Sequence, residues 1–206
     1  MKRLEESSGT CRNTLWTLVH IYSETGRMHN ATNYMHKILE ISKNDDEKAS
    51  YLMGFGQLME QSGDFLSAEK YYRKAIDQNP SNDNTRYFIH NNLGYCLNQQ
   101  RRFKEAAQYL KVALDINPYE ANAYKNMGLC LQRLEKHSKA AEYFIMATKI
   151  NASDSRSLNH LQDLIQEHPE IIADIPDIYE QIEMCERVVE TVEENQPDPY
   201  IQWRKL

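Results

Sequence analysis

The sequence predicts an all-α fold built from repeated pairs of helices. Segment 92–97 (NLGYCL) returns 34 residues later as 126–131 (NMGLCL), and 113–117 (ALDIN) returns as 147–151 (ATKIN). A fixed period of about 20–50 residues indicates a repeat array. Within each copy, apolar residues recur at i, i+3, i+4 and i+7, which is typical of a helix with one buried face. With only 7 Gly and 6 Pro among 206 residues, long linkers are not expected.

Composition and charge exclude several classes of protein. The formal net charge of −6 disfavours nucleic acid as a partner, because phosphate binding needs a basic face. No apolar run approaches the ~20 residues that span a bilayer, and residues 1–9 lack the apolar core of a leader peptide. Four cysteines without a C-x-x-C motif suggest reduced thiols, with Cys96 and Cys130 as buried small residues. We therefore expect a cytoplasmic protein.

Four repeats can be placed in order along the chain after an N-terminal extension at 1–11. They cover residues 12–45, 49–82, 87–120 and 121–154. The last two abut, whereas the earlier junctions carry a few extra residues. Insertions at such junctions fall on loops, so the stack of helix pairs tolerates them.

Small and aromatic residues fall at matching positions in these repeats. In repeat two, residues of the types large, large, small, large, turn, small, aromatic, small and proline follow one another, namely Leu52, Phe55, Gly56, Met59, Gly63, Ala68, Tyr72, Ala75 and Pro80. In this pattern the chain resembles the tetratricopeptide repeat family. The resemblance covers most of residues 12–154, with repeat one matching least well. It implies a right-handed α-solenoid of about four helix-turn-helix repeats with a C-terminal capping helix region.

Glycines stand inside the first helix of three repeats, at Gly56, Gly94 and Gly128. Glycine costs about 1 kcal/mol relative to alanine at such positions. We therefore expect each one to let a second helix approach closely. Small residues on the second helix (Ala68, Ala106 and Ala140) fit this, and Tyr72, Leu110 and Phe144 are expected to fill the space between hairpins.

The repeat pattern fades after residue 154, and residues 155–195 are predicted to form capping helices. Apolar residues at three-four spacing predict a helix from about 176 to 195: Ile175, Ile178, Ile182, Cys185, Val189 and Val192. This stripe fits a cap over the last repeat, or alternatively a dimerisation seam. Residues 196–206 are predicted to form an extended tail whose Tyr200, Ile201 and Trp203 could dock on its own stack or on a neighbour.

Functional residues are implied by the family resemblance, because the first helix of each repeat lines a concave groove. The candidate peptide-binding residues are Phe88, Asn91, Asn92, Tyr95, Asn122, Lys125, Asn126, Arg156, Asn159 and His160. Asparagine is a poor mid-helix residue because its side chain competes for backbone hydrogen bonds. Five asparagines on one face therefore suggest use in binding, although solvated polar residues are the alternative.

Roles follow from side-chain chemistry and from the resemblance. Asn92 and Asn126, one repeat apart, resemble an asparagine ladder that holds peptide backbone, since an amide both donates and accepts hydrogen bonds. Asn126, Arg156 and His160 match the later half of the family's carboxylate clamp, whereas the earlier half is not matched. Lys125 and Arg156 are expected to meet a carboxylate, with Phe88, Tyr95 and Trp16 as apolar contacts.

No enzyme motif is present, and neither a cofactor nor a metal is expected. His29 and His36 share a helix face but stand two turns apart, too far for one ion. The sequence therefore predicts a non-enzymatic scaffold or adaptor that binds a peptide or partner helix, with an acidic stretch or a free C-terminus. The alternative is a self-assembling scaffold, a homo-oligomer whose C-terminal helix or tail docks on a neighbouring subunit.

Overall fold

The computed structural model describes residues 2–175 and 177–195, and within them all regular secondary structure is helical. The helices are α1 Lys2–Glu24, α2 Met28–Ile41, α3 Asp45–Gln61, α4 Phe65–Asp77, α5 Asp83–Gln99, α6 Phe103–Ile116, α7 Ala121–Arg133, α8 His137–Ile150, α9 Arg156–Glu167, α10 Ile171–Asp174 and α11 Ile178–Asn195. The predicted all-α class is confirmed. Helix α1 begins at Lys2 and so runs through most of the segment expected to be an extension.

The chain forms two compact units, residues 1–101 and 102–206. Unit 1 contains α1–α5, in which the pairs α1–α2 and α3–α4 pack together and α5 packs on α3 and α4. Unit 2 contains α6–α11, in which α7 packs on α6 and α8, and α8 also contacts α9, α10 and α11. The four repeat boundaries stay a prediction.

Side-chain caps define where several helices begin. The side chains of Asn44, Asp64 and Asn82 accept hydrogen bonds from the backbone N–H three residues on, at 2.9–3.0 Å. Each such cap stabilises its helix by about 1 kcal/mol. The turn before α4 contains Gly63 at φ 81°, a left-handed conformation that glycine adopts without strain.

Two glycines within helices make room for aromatic rings. A Cβ atom built on Gly56 would lie 2.6 Å from Cε1 of Tyr72, and one built on Gly128 would lie 2.6 Å from Cε1 of Phe144. Both rings are fully buried. The close approach predicted at these positions is present. However, the nearest atoms belong to the aromatic ring of the following helix rather than to Ala68 or Ala140.

The apolar stripe of α11 is buried inside unit 2. Ile178, Cys185 and Val189 are each at most 6% exposed, and α11 contacts α8 and α9. These side chains cover the unit, as the capping interpretation predicts, and so they are not free to form a coiled-coil seam. The tail prediction for residues 196–206, with Tyr200, Ile201 and Trp203, lies outside the described residues. In the part of the chain that the structure describes, no helix is long and apolar enough to span a membrane.

Candidate functional site

The candidate residues of unit 1 lie on α5, and two of them take part in an internal polar network. Asn91 is 5% exposed and donates from Nδ2 to Oδ1 of Asn92 at 3.0 Å. The amide of Asn92 donates toward the hydroxyl of Tyr72, which itself donates to Oε2 of Glu60 at 2.8 Å. Asn92 therefore has an internal role beside its predicted contact with a partner.

Burial controls the ionisation of the groups in this network. Burial raises the pKa of Glu60, while hydrogen bonds from Tyr72 and Cys96 act in the opposite direction. Burial and the charge of Glu60 raise the pKa of Cys96 far above its ordinary value. In unit 2, burial raises the pKa of Cys130 to about 11. Since the thiolate is the reactive form, neither cysteine is suited to be a nucleophile near neutral pH.

The aromatic candidates of unit 1 are half-buried. The Phe88 ring contacts that of Tyr87, with centroids 5.2 Å apart, and the Tyr95 ring lies 6.2 Å from that of Phe65. Each ring packs at its edge against a neighbour while part of its surface remains accessible. Both can therefore offer apolar surface to a ligand, and their predicted binding role remains a prediction.

The charged candidates of unit 2 converge on a carboxylate that the sequence did not indicate as part of the site. Nε and Nη2 of Arg156 lie 2.6 and 2.7 Å from the two oxygens of Asp154, a bidentate pair. Nζ of Lys125 lies 3.1 Å from Oδ2 of the same residue. The hydrogen bonds from Arg156, and then from Lys125, hold the pKa of Asp154 well below its usual range. Burial acts in the opposite direction. Two cations thus share one carboxylate.

The other candidates of unit 2 differ in exposure. Asn126 is 7% exposed, whereas Asn122 and Asn159 are open to solvent. The ring of His160 lies 5.5 Å from that of Phe144. Burial is the main cause that lowers the pKa of His160; Lys125 and Arg156 also lower it, while Asp163 opposes them. His160 is therefore expected to be neutral at pH 7.

Comparison with known proteins identifies the family. Two tetratricopeptide repeat models match this chain, one over residues 10–81 and one over residues 53–121, together more than half of its length. The chain belongs to the tetratricopeptide repeat family. Members of this family are generally non-enzymatic modules for protein interaction. A comparison with curated proteins finds no matching relative.

Solved structures share the fold of this tetratricopeptide repeat protein. MamA 41-end from Desulfovibrio magneticus RS-1 is 18% identical, with 90% of this chain and 97% of that chain covered and a TM-score of 0.65. BtubC (BKLC) from P. vanneervenii is 17% identical, covering 96% and 89%, with a TM-score of 0.71. The first TPR of Spaghetti (RPAP3), bound to the HSP90 peptide SRMEEVD, is 21% identical, covering 60% and 95%, with a TM-score of 0.55. At these identities the likeness shows the fold, and it confirms the predicted class.

Sequence reasoning on this tetratricopeptide repeat protein missed the residues that partner the candidates. Asp154 was expected only to end the last repeat, and Glu60 and the Tyr72 hydroxyl had no assigned role. Two of the pairings join residues far apart in the chain: Lys125 is 29 residues from Asp154, and Glu60 is 12 residues from Tyr72. Arg156, by contrast, stands only two residues after Asp154. Two local signals could have suggested these contacts: the asparagine adjacency at 91–92, and the spacing of two residues between Asp154 and Arg156.

Proposed function

We propose that this tetratricopeptide repeat protein is a non-enzymatic scaffold. In this proposal it binds an acidic segment or a free C-terminus of a partner peptide at a patch on α7 and α9 of unit 2. The patch comprises Asn122, Lys125, Arg156 and Asn159. The observation that carries the proposal is the sharing of the Asp154 carboxylate by Lys125 and Arg156. An excess of positive charge at one place on a protein of net charge −6 favours an acidic ligand there.

Exposure assigns different roles to the two cations. The Arg156 side chain is 69% exposed, so its guanidinium can contact a ligand directly. Lys125 is 8% exposed, so it acts mainly through its charge. Asp163, the acidic residue near His160, stands seven residues after Arg156, which is about 10 Å farther along a helix. Positive charge on α9 is therefore concentrated at its N-terminus.

Neutral groups beside Arg156 complete the proposed patch. The exposed amides of Asn122 and Asn159 can each donate to and accept from the backbone of an extended peptide. The fold neighbour whose bound peptide is SRMEEVD supplies a first probe of suitable chemistry, since that peptide is acidic.

We expect Arg156→Gln to weaken binding of SRMEEVD by about tenfold, because a hydrogen bond to a charged group contributes about 1.5–3 kcal/mol. Fluorescence anisotropy with a labelled peptide at two salt concentrations measures this. Arg187→Gln is the matched control, since Arg187 is also exposed and pairs with a carboxylate, Glu183, on α11. The proposal fails if Arg156→Gln and Arg187→Gln bind equally well. It also fails if a form of the peptide whose side-chain and C-terminal carboxylates are all replaced by amides binds as tightly as the acidic one.

Asp154→Asn should have the opposite effect and tighten binding of the same peptide about threefold or more, a change of roughly 0.65 kcal/mol. The substitution removes the internal carboxylate that competes with the ligand for Arg156, while the amide oxygen can still accept a hydrogen bond. The same anisotropy titration reports it. Weaker binding by a folded Asp154→Asn variant would mean that Asp154 orients Arg156 instead of competing with the ligand.

Self-assembly through residues 196–206, the alternative function, stays a prediction. Light scattering on the full chain and on a 1–195 truncation distinguishes it from binding of a foreign peptide. An oligomer that dissociates on truncation would favour self-assembly.

A further inference from the structure

Two histidines and a glutamate from two segments of unit 2 meet at one point. His137 begins α8, His168 follows α9 and Glu170 precedes α10. The two imidazole rings have centroids 3.5 Å apart at an interplanar angle of 42°. Nδ1 of His168 lies 3.1 Å from Oε1 of Glu170. One potential ligand atom from each residue lies within 4.8 Å of the other two.

We propose that His137, His168 and Glu170 form a binding site for a divalent transition-metal ion, with Zn²⁺ as the ion of choice. Two imidazoles and one carboxylate are ligands that zinc favours, and a water molecule can complete four-coordination. Zinc–ligand distances of about 2.0–2.2 Å place neighbouring tetrahedral ligands roughly 3.3 Å apart. The 3.1 Å separation between Nδ1 of His168 and Oε1 of Glu170 is close to that value, and the third ligand atom, from His137, lies within 4.8 Å of both.

The surroundings favour a site that is both accessible and held in place. Both histidines are half-buried and Glu170 is exposed, so an ion can enter from solvent. Ser138, the residue after His137, donates from Oγ to Oδ2 of Asp174 at 2.6 Å. This bond ties the end of α10 to the beginning of α8, and the fully buried Ile171 anchors α10 at its other end. The protein thus brings the ligand-bearing segments together without the ion.

A bound ion would cross-link the beginning of α8 to the connection between α9 and α10. Because His137 is distant in sequence from His168 and Glu170, an unfolded chain would bind the ion less well than the folded one. Binding would therefore stabilise unit 2 by mass action. The site is independent of the proposed peptide patch, since it shares no residue with it.

Zn²⁺ titration of the untagged, metal-free full chain by calorimetry tests the site. A Cys11→Ser background is used, because Cys11 is the exposed one of the cysteines. We expect one Zn²⁺ per chain, a higher melting temperature with excess Zn²⁺ and no change with Mg²⁺. His168→Ala and Glu170→Gln should each lower the affinity tenfold or more. The matched control, His36→Ala, removes an exposed histidine of α2 and should bind like the parent chain.

Absence of Zn²⁺ binding, or equal affinity in the parent, His168→Ala and Glu170→Gln chains, would overturn the proposal. Glu170→Gln keeps the test decisive should His168→Ala fail to fold, because the Glu170 side chain is 66% exposed. NMR provides a second measurement. Zn²⁺ should shift the ring C–H signals of two of the seven histidines, and both signals should be assigned to His137 and His168 by substitution. Shifts confined to other histidines would overturn the site.

Discussion

Replacing Gly128 by leucine should lower the free energy of unfolding by about 3 kcal/mol, at the upper end of the range for overpacked cores. Even a methyl group at this position would lie 2.6 and 2.7 Å from two carbons of the Phe144 ring, which is fully buried and cannot move away freely. Leucine also gains helix propensity over glycine, by less than about 1 kcal/mol, which does not offset the clash. Urea denaturation followed by circular dichroism measures the change.

Two further variants separate the clash from other effects of leucine. Glu142→Leu places the same side chain at an exposed position of α8 and should change stability by less than about 0.5 kcal/mol. The pair Gly128→Ala and Phe144→Leu should be coupled, since the smaller side chain at 144 leaves room for the new methyl group. Additive effects of these two substitutions would show that the ring does not limit the residue at 128.

Asp154→Ala should destabilise the chain by about 3 kcal/mol, because it leaves a buried charge without its partner. The Lys125 ammonium would keep only Oδ1 of Asn122, at 3.4 Å, in place of the carboxylate at 3.1 Å. The exposed Arg156 side chain can turn to water and contributes little to the loss. Lys125→Met combined with Asp154→Ala should recover most of the stability, since replacing both members of a buried pair by apolar groups is often neutral.

The pH dependence of stability provides an independent check on Asp154. Its pKa in the folded chain lies well below the ordinary value of 3.8, so the unfolded chain binds the proton more readily. The carboxylate therefore stabilises the fold fully above pH 3.8, and this contribution is lost as the pH falls through the folded pKa. The stability difference between the parent chain and Asp154→Ala should be constant near neutral pH and should shrink below pH 3.8. A difference that instead grows on acidification would contradict the pairing.

The family and the glycine positions follow from the sequence because they depend on local, periodic signals. A 34-residue period, apolar residues at helical spacing and glycines inside helices are visible without any long-range contact. They predicted the all-α repeat fold, a close approach at Gly56 and Gly128, and the burial of the α11 stripe. The start of the first helix was not predicted: α1 begins at Lys2, within the segment described as an N-terminal extension. Repeat patterns do not show where a terminal helix begins.

The pattern of residues along the chain is enough to identify the fold family, the buried faces of the helices and the polar residues available for binding. What those polar residues contact is known only from the packing of the helices. This packing pairs Lys125 with Asp154, places Asn92 in a network with Tyr72 and Glu60, and brings His137 to His168. Charges and hydrogen-bonding groups of this kind follow no period along the chain. Their partners are set by how the helices pack, and sequence spacing does not encode that packing.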